Sequence, residues 1–152
     1  MYGKITFSII KPDAVKNNYV VPILSKIIDE GFHIIGIKMK KISEIEAKKF
    51  YVEHEKEIFF NSLVEFMSSG PVVLIVLEKK NAVNDFRMLI GDKNPIKAKN
   101  GTIRNLYATS LEKNAIHGSD SNEKAIREYQ FYFSHREIFY SKLVDNNLNI
   151  SK

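Results

Sequence analysis

Six consecutive apolar residues, Val72 to Leu77, run between a break at Gly70-Pro71 and the charged Glu78-Lys79-Lys80. A run this short, unbroken and bounded by a turn signal reads as a central strand. The remaining elements are read around it. Lys4 to Ile10 alternates, with Ile5, Phe7 and Ile9 on one side, and stops at Lys11-Pro12-Asp13 because Pro12 cannot donate to a ladder. Pro22 is placed to open a helix, Ile23, Leu24, Ile27 and Ile28 form its apolar stripe, and Gly31 ends it. Phe32 to Lys41 returns to a two-residue period, with Ile35, Ile37 and Met39 expected on one face.

Ser43 with Glu46 forms a capping-box pattern ahead of a helix bearing Ala47, Phe50, Tyr51 and His54. A second short helix carries Phe60, Leu63, Val64 and Met67. Asn81 is placed to cap a helix that turns Val83, Phe86 and Ile90 inward and ends at Gly91. Asp92 to Gly101 reads as loop, Thr102 caps a short helix reaching Tyr107, and Ser121 caps one through Tyr129. Phe131 and Phe133 alternate as a last strand, Ser134 and Glu137 make another capping box, and the polar tail from about 145 to 152 reads as loose. Four strands with helices between them give an α+β fold, and the βαββαβ order is that of a ferredoxin-like, four-stranded antiparallel sheet with helices packed on it. No internal repeat or linker divides residues 1–152, so one domain is expected.

The chain has no cysteine, which removes disulfides, iron–sulfur centres and thiol catalysis. No stretch approaches the roughly 18 apolar residues of a membrane span, and a cytoplasmic protein with no membrane partner is the expectation. The net charge of +5 comes from scattered lysines without an arginine-rich arm. That balance suits a solvated surface, or a site for a small polyanion such as a phosphate compound. His33, His54, His117 and His135 lie far apart without metal-ligand spacing, so any metal is expected to be Mg²⁺ carried on a phosphate substrate, with no direct protein ligand.

Neither GxxxxGK[ST] nor GxGxxG occurs, which excludes the ordinary phosphate loops. Lys11, Arg87 and Arg104 nevertheless stand near element boundaries, where cations can stabilise a phosphoryl group in transfer. The plainer readings are a surface lysine at a strand end and salt-bridged arginines. In Asn114 to Ser121, NAIHGSDS, His117 has two readings as well. It can be a turn histidine bonded to its neighbours. It can also be a nucleophile, since a neutral imidazole has a free nitrogen near pH 7. A nucleophile needs a partner on the other ring nitrogen; Glu128 can supply a carboxylate, Ser119 a hydrogen bond to it, and Gly118 room for a tight turn beside the ring.

Lys11-Pro12-Asp13, Ser69-Gly70-Pro71-Val72, Asn94-Pro95, Gly101-Thr102-Ile103-Arg104 and Asn114 through Ser121 occur in one order. Together they resemble the nucleoside diphosphate kinase family from about Ile5 to Phe139, and Ile116 to Asp120 is the most specific block. The resemblance implies ping-pong transfer of the γ-phosphoryl of a nucleoside triphosphate to His117, then to a nucleoside diphosphate, with a broad base range and Mg²⁺. It implies that Lys11, Tyr51, Arg87, Arg104 and Asn114 hold phosphates and sugar hydroxyls. Phe59 would stack on the base with Leu111 opposite, and Ser119 and Glu128 would support the histidine. It also implies a homo-oligomer, a hexamer before a tetramer, with Phe32 to Met39 and the stripe around Ile27 in the dimer contact and about Asn94 to Ile116 in trimer contacts.

The chain departs from that pattern. Lys93 stands where the family usually has threonine, and is expected to reach the diphosphate as an ammonium group or else to point into solvent. Ala14 and the segment Asn18 to Pro22 replace usual glycines. The rival class is a nucleic-acid-binding or regulatory module on the same fold. It is set second because the strands lack clustered aromatics with basic residues.

Overall fold

The strand Ile5–Ile10 (β1) is buried along its whole length, and the computed structural model describes it within residues 2–141. The polar tail expected at about 145–152 lies outside the described residues. After β1 come Pro12–Lys16 (α1), Val20–Asp29 (α2) and the strand His33–Lys41 (β2). Glu44–Phe50 (α3), a 3₁₀ turn at Val52–His54 and Phe60–Ser68 (α4) lead into Pro71–Glu78 (β3). Ala82–Ile90 (α5), Ile103–Tyr107 (α6), Ile116–Gly118 (β4), Asn122–Tyr132 (α7) and a 3₁₀ turn at His135–Glu137 complete the described order.

The strands lie in the order β2-β3-β1-β4, all pairs antiparallel, which is the ferredoxin-like sheet expected. The apolar run in β3 is explained by its position. Val72, Leu74 and Val76 face one core with Phe7, Ile9, Val64, Met67 and Tyr132. Val73, Ile75 and Leu77 face the other with Ile23, Ile27, Phe32, Phe86 and Ile103. A strand covered on both faces has no polar side.

Three sequence expectations are corrected. The last strand is not at Phe131 and Phe133: Phe131 lies in α7 and Phe133 ends it in an extended conformation. Tyr129 and Tyr132, three apart, bury one face of α7 and carry the helix beyond Tyr129. The fourth strand is instead the three residues Ile116–Gly118, too short for a two-residue period to register. Ile35, Ile37 and Met39 do not share a face, because a register shift between Ile34 and Gly36 turns Ile35 into the core and leaves Ile37 and Met39 exposed. Asn81 occupies the cap position of α5 in a left-handed conformation (φ 94°), but its side chain makes no capping hydrogen bond; it bonds instead to Asp85 and Asn84.

Other local readings hold. Ser43 and Glu46 form both bonds of their capping box at 3.1 and 2.8 Å. Thr102 and Ser121 cap α6 and α7. Pro22 does not open α2 as expected: the helix starts two residues earlier at Val20, and Pro22 falls in its first turn, where its missing N–H is still harmless. Among the described residues no helix is long and apolar enough to cross a membrane.

Candidate functional site

The antiparallel pairing of β1 with β4 assembles the site. Ile9 stands opposite His117 and Ile10 opposite Ile116, so the residue after β1, Lys11, arrives beside the residues before β4. The Lys11 N–H donates to the Ala115 carbonyl at 2.8 Å, and the Lys11 ammonium donates to Asn114 Oδ1 at 2.7 Å. Ser8 Oγ, on the same strand, donates to the His117 carbonyl at 2.8 Å. Residues 103 apart in the chain are thereby adjacent in space.

His117 Nε2 lies 2.8 Å from Glu128 Oε2, and Ser119 Oγ donates to the same oxygen at 2.6 Å. With the carboxylate on Nε2, the proton belongs on that nitrogen, and Nδ1 keeps its lone pair. Nδ1 takes no hydrogen bond among the described residues. The rings of Phe7, Phe50 and Tyr51 surround the imidazole at 6.2, 5.5 and 6.2 Å between centroids. These aromatic rings pack around the imidazole and leave the His117 side chain about one-fifth exposed (19%). Phe50, which the sequence places only on the helix with Ala47 and Tyr51, belongs to this aromatic wall.

A cavity of about 850 Å³ opens in front of His117. Lys11, Tyr51, Phe59, Arg87, Lys93, Arg104, Leu111, Asn114 and Glu128 all line it, so the residues chosen from sequence converge. Ser119 is the exception: it sits behind the histidine, fully buried, and reaches the site only through Glu128. Phe59 and Leu111 are both at least half exposed at the rim, with apolar surface free for a flat ring.

Charge in the cavity is divided. Glu53 and Asp120 both hold Lys124, at 2.8 and 3.1 Å, and Glu53 also pairs with Arg127. Lys124 and Arg127 together hold the Glu53 carboxyl down to about 2. Lys11, Arg87, Lys93 and Arg104 appear in no side-chain ion pair among the described residues. Burial, with Arg104 nearby, lowers Lys11 to about 8, against the pull of Asp13 and Glu112. Burial lowers Arg104 to about 10, and Asp92 opposes while Arg87 adds to the fall. Arg104 is braced by the carbonyls of Gly91 and Ile116 at 3.0 and 2.8 Å, leaving Nε without a partner. The buried Tyr51 hydroxyl is also unpartnered, and burial pushes its pKa up. Donors without acceptors, converging on one cavity, are what an anionic ligand satisfies.

Gly118 serves differently from expectation. It lies in β4 rather than in a tight turn, and its φ is not positive. A Cβ there would stand 2.9 Å from Ile90 Cδ1 and 3.0 Å from Phe86 Cδ1, so its small size lets α5 pack close behind the histidine. Glu53, His54, Asp120, Lys124 and Arg127 were missed as cavity residues. The only signal for the Lys124–Asp120 pair was their spacing of four across the start of α7.

The chain is similar in sequence and fold to proteins of one family. The family model described as nucleoside diphosphate kinase matches residues 4–138. A nucleoside diphosphate kinase of Campylobacter curvus is 53% identical over 133 residues, covering 88% of this chain and 97% of that protein. One of Flavobacterium psychrophilum is 49% identical over 134 residues, covering 88% and 96%. The crystal structure of the Aquifex aeolicus nucleoside diphosphate kinase superposes with a TM-score of 0.87 at 43% identity, covering 89% of this chain and 98% of that one. The halophilic nucleoside diphosphate kinase of Halobacterium salinarum, solved in complex with CDP, gives a TM-score of 0.88 at 35% identity, covering 91% and 93%.

Proposed function

The chain belongs to the nucleoside diphosphate kinase family, enzymes that transfer a phosphoryl group through a phosphohistidine, and we propose that His117 is the residue phosphorylated here. The observation that carries this reading is the Ser119–Glu128–His117 chain of hydrogen bonds, which ends on Nε2 of a histidine that lines the cavity and leaves Nδ1 without a hydrogen bond among the described residues. Nδ1 attacks the γ phosphorus of a nucleoside triphosphate, the bond to the β–γ bridging oxygen breaks, and the diphosphate leaves. A second diphosphate then takes the phosphoryl from Nδ1 by the reverse displacement. Glu128 stabilises the positive charge that the ring acquires as it bonds to phosphorus.

Lys11, Arg87 and Arg104 bind phosphate oxygens, with Lys93 at the outer end, and Asn114 and Tyr51 supply hydrogen bonds to phosphate or sugar. Phe59 and Leu111 sandwich the base. Stacking accepts any base, so a broad nucleotide range follows. Catalysis is positioning plus charge stabilisation. Mg²⁺ would be brought in on the substrate's phosphate oxygens: Glu53, Asp120 and Glu128 are engaged by Lys124, Arg127 and His117, while Asp92 and Glu112, which also line the cavity, accept from the Asn94 N–H and the Ser62 hydroxyl. When bound, it neutralises charge on those oxygens.

We read residues 1–152 as one domain of a cytoplasmic homo-oligomer, a hexamer before a tetramer. Ile28, Ile37 and Met39, exposed on α2 and β2, support a contact between copies there. The deciding experiment is intact-protein mass after incubation with ATP and Mg²⁺, beside His117→Ala. An acid-labile gain of about 80 Da, absent from the variant and discharged by GDP to give GTP, is expected. No gain in folded, ATP-binding protein overturns the reading.

A further inference from the structure

Ala115 has φ 71°, in the left-handed region that a residue with a side chain rarely adopts. The N–H of Ile116 donates to the carbonyl of Asn114 at 2.9 Å, closing a three-residue turn around it. The turn immediately precedes the strand that carries His117. It is held from outside. The Ala115 N–H donates to Asp13 Oδ2 at 3.1 Å, and the Ala115 carbonyl accepts from the Lys11 N–H at 2.8 Å. Both peptide groups of the strained residue are thus clasped by the β1–α1 junction, one by backbone and one by a carboxylate.

We propose that Asp13 is a positioning residue for phosphoryl transfer, its carboxylate holding Ala115 in the left-handed turn that aims Asn114 and His117 into the cavity. This rests on the phosphohistidine reading above. Asp13 does not line the phosphate cavity; it borders a separate one of about 830 Å³ together with Pro12, Lys16, Ser69 and Pro71. It touches no reacting atom: it acts through Ala115, and its charge also favours the Lys11 ammonium, an effect that Asp13→Asn removes while keeping the acceptor for Ala115. Asn114 is the residue that moves if the turn relaxes. Its Oδ1 accepts the Lys11 ammonium and its Nδ2 donates to the Lys93 carbonyl at 3.5 Å, so two cationic residues of the cavity are referenced to it. His117 is next along, two residues beyond Ala115. The plainer role for an acid in the first turn of α1 is to favour that helix's N-terminus. Such a role makes no demand on Ala115 and does not distinguish an aspartate from a glutamate.

The test compares Asp13→Ala, Asp13→Asn, Asp13→Glu and the double variant Asp13→Ala with Ala115→Gly, all in the full chain. The rate of phosphoenzyme formation in a single turnover with saturating ATP, the affinity for ADP and the unfolding midpoint are measured in parallel. Asp13→Ala is expected to slow phosphoenzyme formation about a hundredfold, the scale of a small misplacement in a preorganised site. Asp13→Asn, whose amide oxygen still accepts from Ala115, stays within about threefold of the wild type. Glycine adopts a positive φ without a clasp, so the double variant recovers at least about tenfold over Asp13→Ala. Should Asp13→Ala fail to fold, Asp13→Glu decides: it keeps the acid in the first turn of α1 but displaces the acceptor, and a slowed rate at an unchanged unfolding midpoint is expected. A wild-type rate in Asp13→Glu or Asp13→Ala, no recovery in the double variant, or a loss in Asp13→Asn equal to that in Asp13→Ala would overturn the proposal. A wild-type enzyme that forms no phosphoenzyme overturns the phosphohistidine reading instead.

Discussion

Replacing Glu128 by glutamine isolates what the carboxylate does for His117. The wild-type contact, 2.8 Å from Nε2 to Oε2 with Oε2 also receiving Ser119 at 2.6 Å, is charge-assisted and nearly buried. Such a bond contributes about 1.5–3 kcal/mol, against about 0.5–1.5 kcal/mol for its neutral counterpart. The difference, about 1–1.5 kcal/mol, is expressed mainly in the transition state, where the imidazole becomes cationic. At about 1.36 kcal/mol per decade, Glu128→Gln is expected to slow phosphoenzyme formation roughly 5- to 12-fold. Glu128→Ala removes the partner outright, about 2–3 kcal/mol, and is expected to slow it about 30- to 150-fold. Ser119 then retains only the Phe7 carbonyl at 3.4 Å, so some stability is lost as well. The assay is rapid-quench measurement of acid-labile phosphoenzyme at saturating ATP, with ADP affinity measured separately. Both variants should lower the rate while leaving ADP affinity nearly unchanged. A wild-type rate in Glu128→Gln, or a defect confined to affinity, would refute the assignment of charge stabilisation to Glu128.

Three further outcomes are expected. Lys93 is exposed beside the cavity, so Lys93→Thr should weaken diphosphate binding about two- to fivefold at low salt, with the gap closing at high salt; equal affinities at both ionic strengths, measured calorimetrically, place its ammonium in solvent. Lys11 has a folded pKa near 8, below the lysine value of 10.5, so its contribution to apo stability is present above about 10.5 and lost as pH falls through about 8. The charged form binds phosphate, so KM should rise as pH climbs above about 8, and a KM profile in Lys11→Met lacking that limb checks it. Gly118→Ala drives a methyl into Ile90 and Phe86 at 2.9 and 3.0 Å, which should cost about 1–3 kcal/mol in thermal unfolding and weaken ADP binding by displacing Arg87 on α5; an unchanged midpoint would show that α5 gives way freely.

Much of the molecule is legible without coordinates because it depends on local chemistry. The apolar run at Val72–Leu77 demands cover on both faces, and it has it. Ser43, Thr102 and Ser121 sit where helix amides need acceptors, and cap as their residue types require. The block around His117, with the other motifs in their order, points to the chemistry, and the residues chosen with it line one cavity except Ser119, which stands behind Glu128. Tertiary structure decided the rest. A three-residue strand at Ile116–Gly118 exists only because β1 offers it an edge, so its own sequence carries no period to detect. The bulge at Ile35 exists because β2 must serve a core on one face while Ile37 and Met39 remain outside. Gly118 is required by the approach of α5, an element nearly thirty residues away in the chain. Which ring nitrogen of His117 is held likewise waits on Glu128, eleven residues on, folding back against Nε2. Periodicity and capping are properties of neighbours in sequence, whereas register, close approach and the direction of a lone pair are set by residues that meet only when the sheet closes.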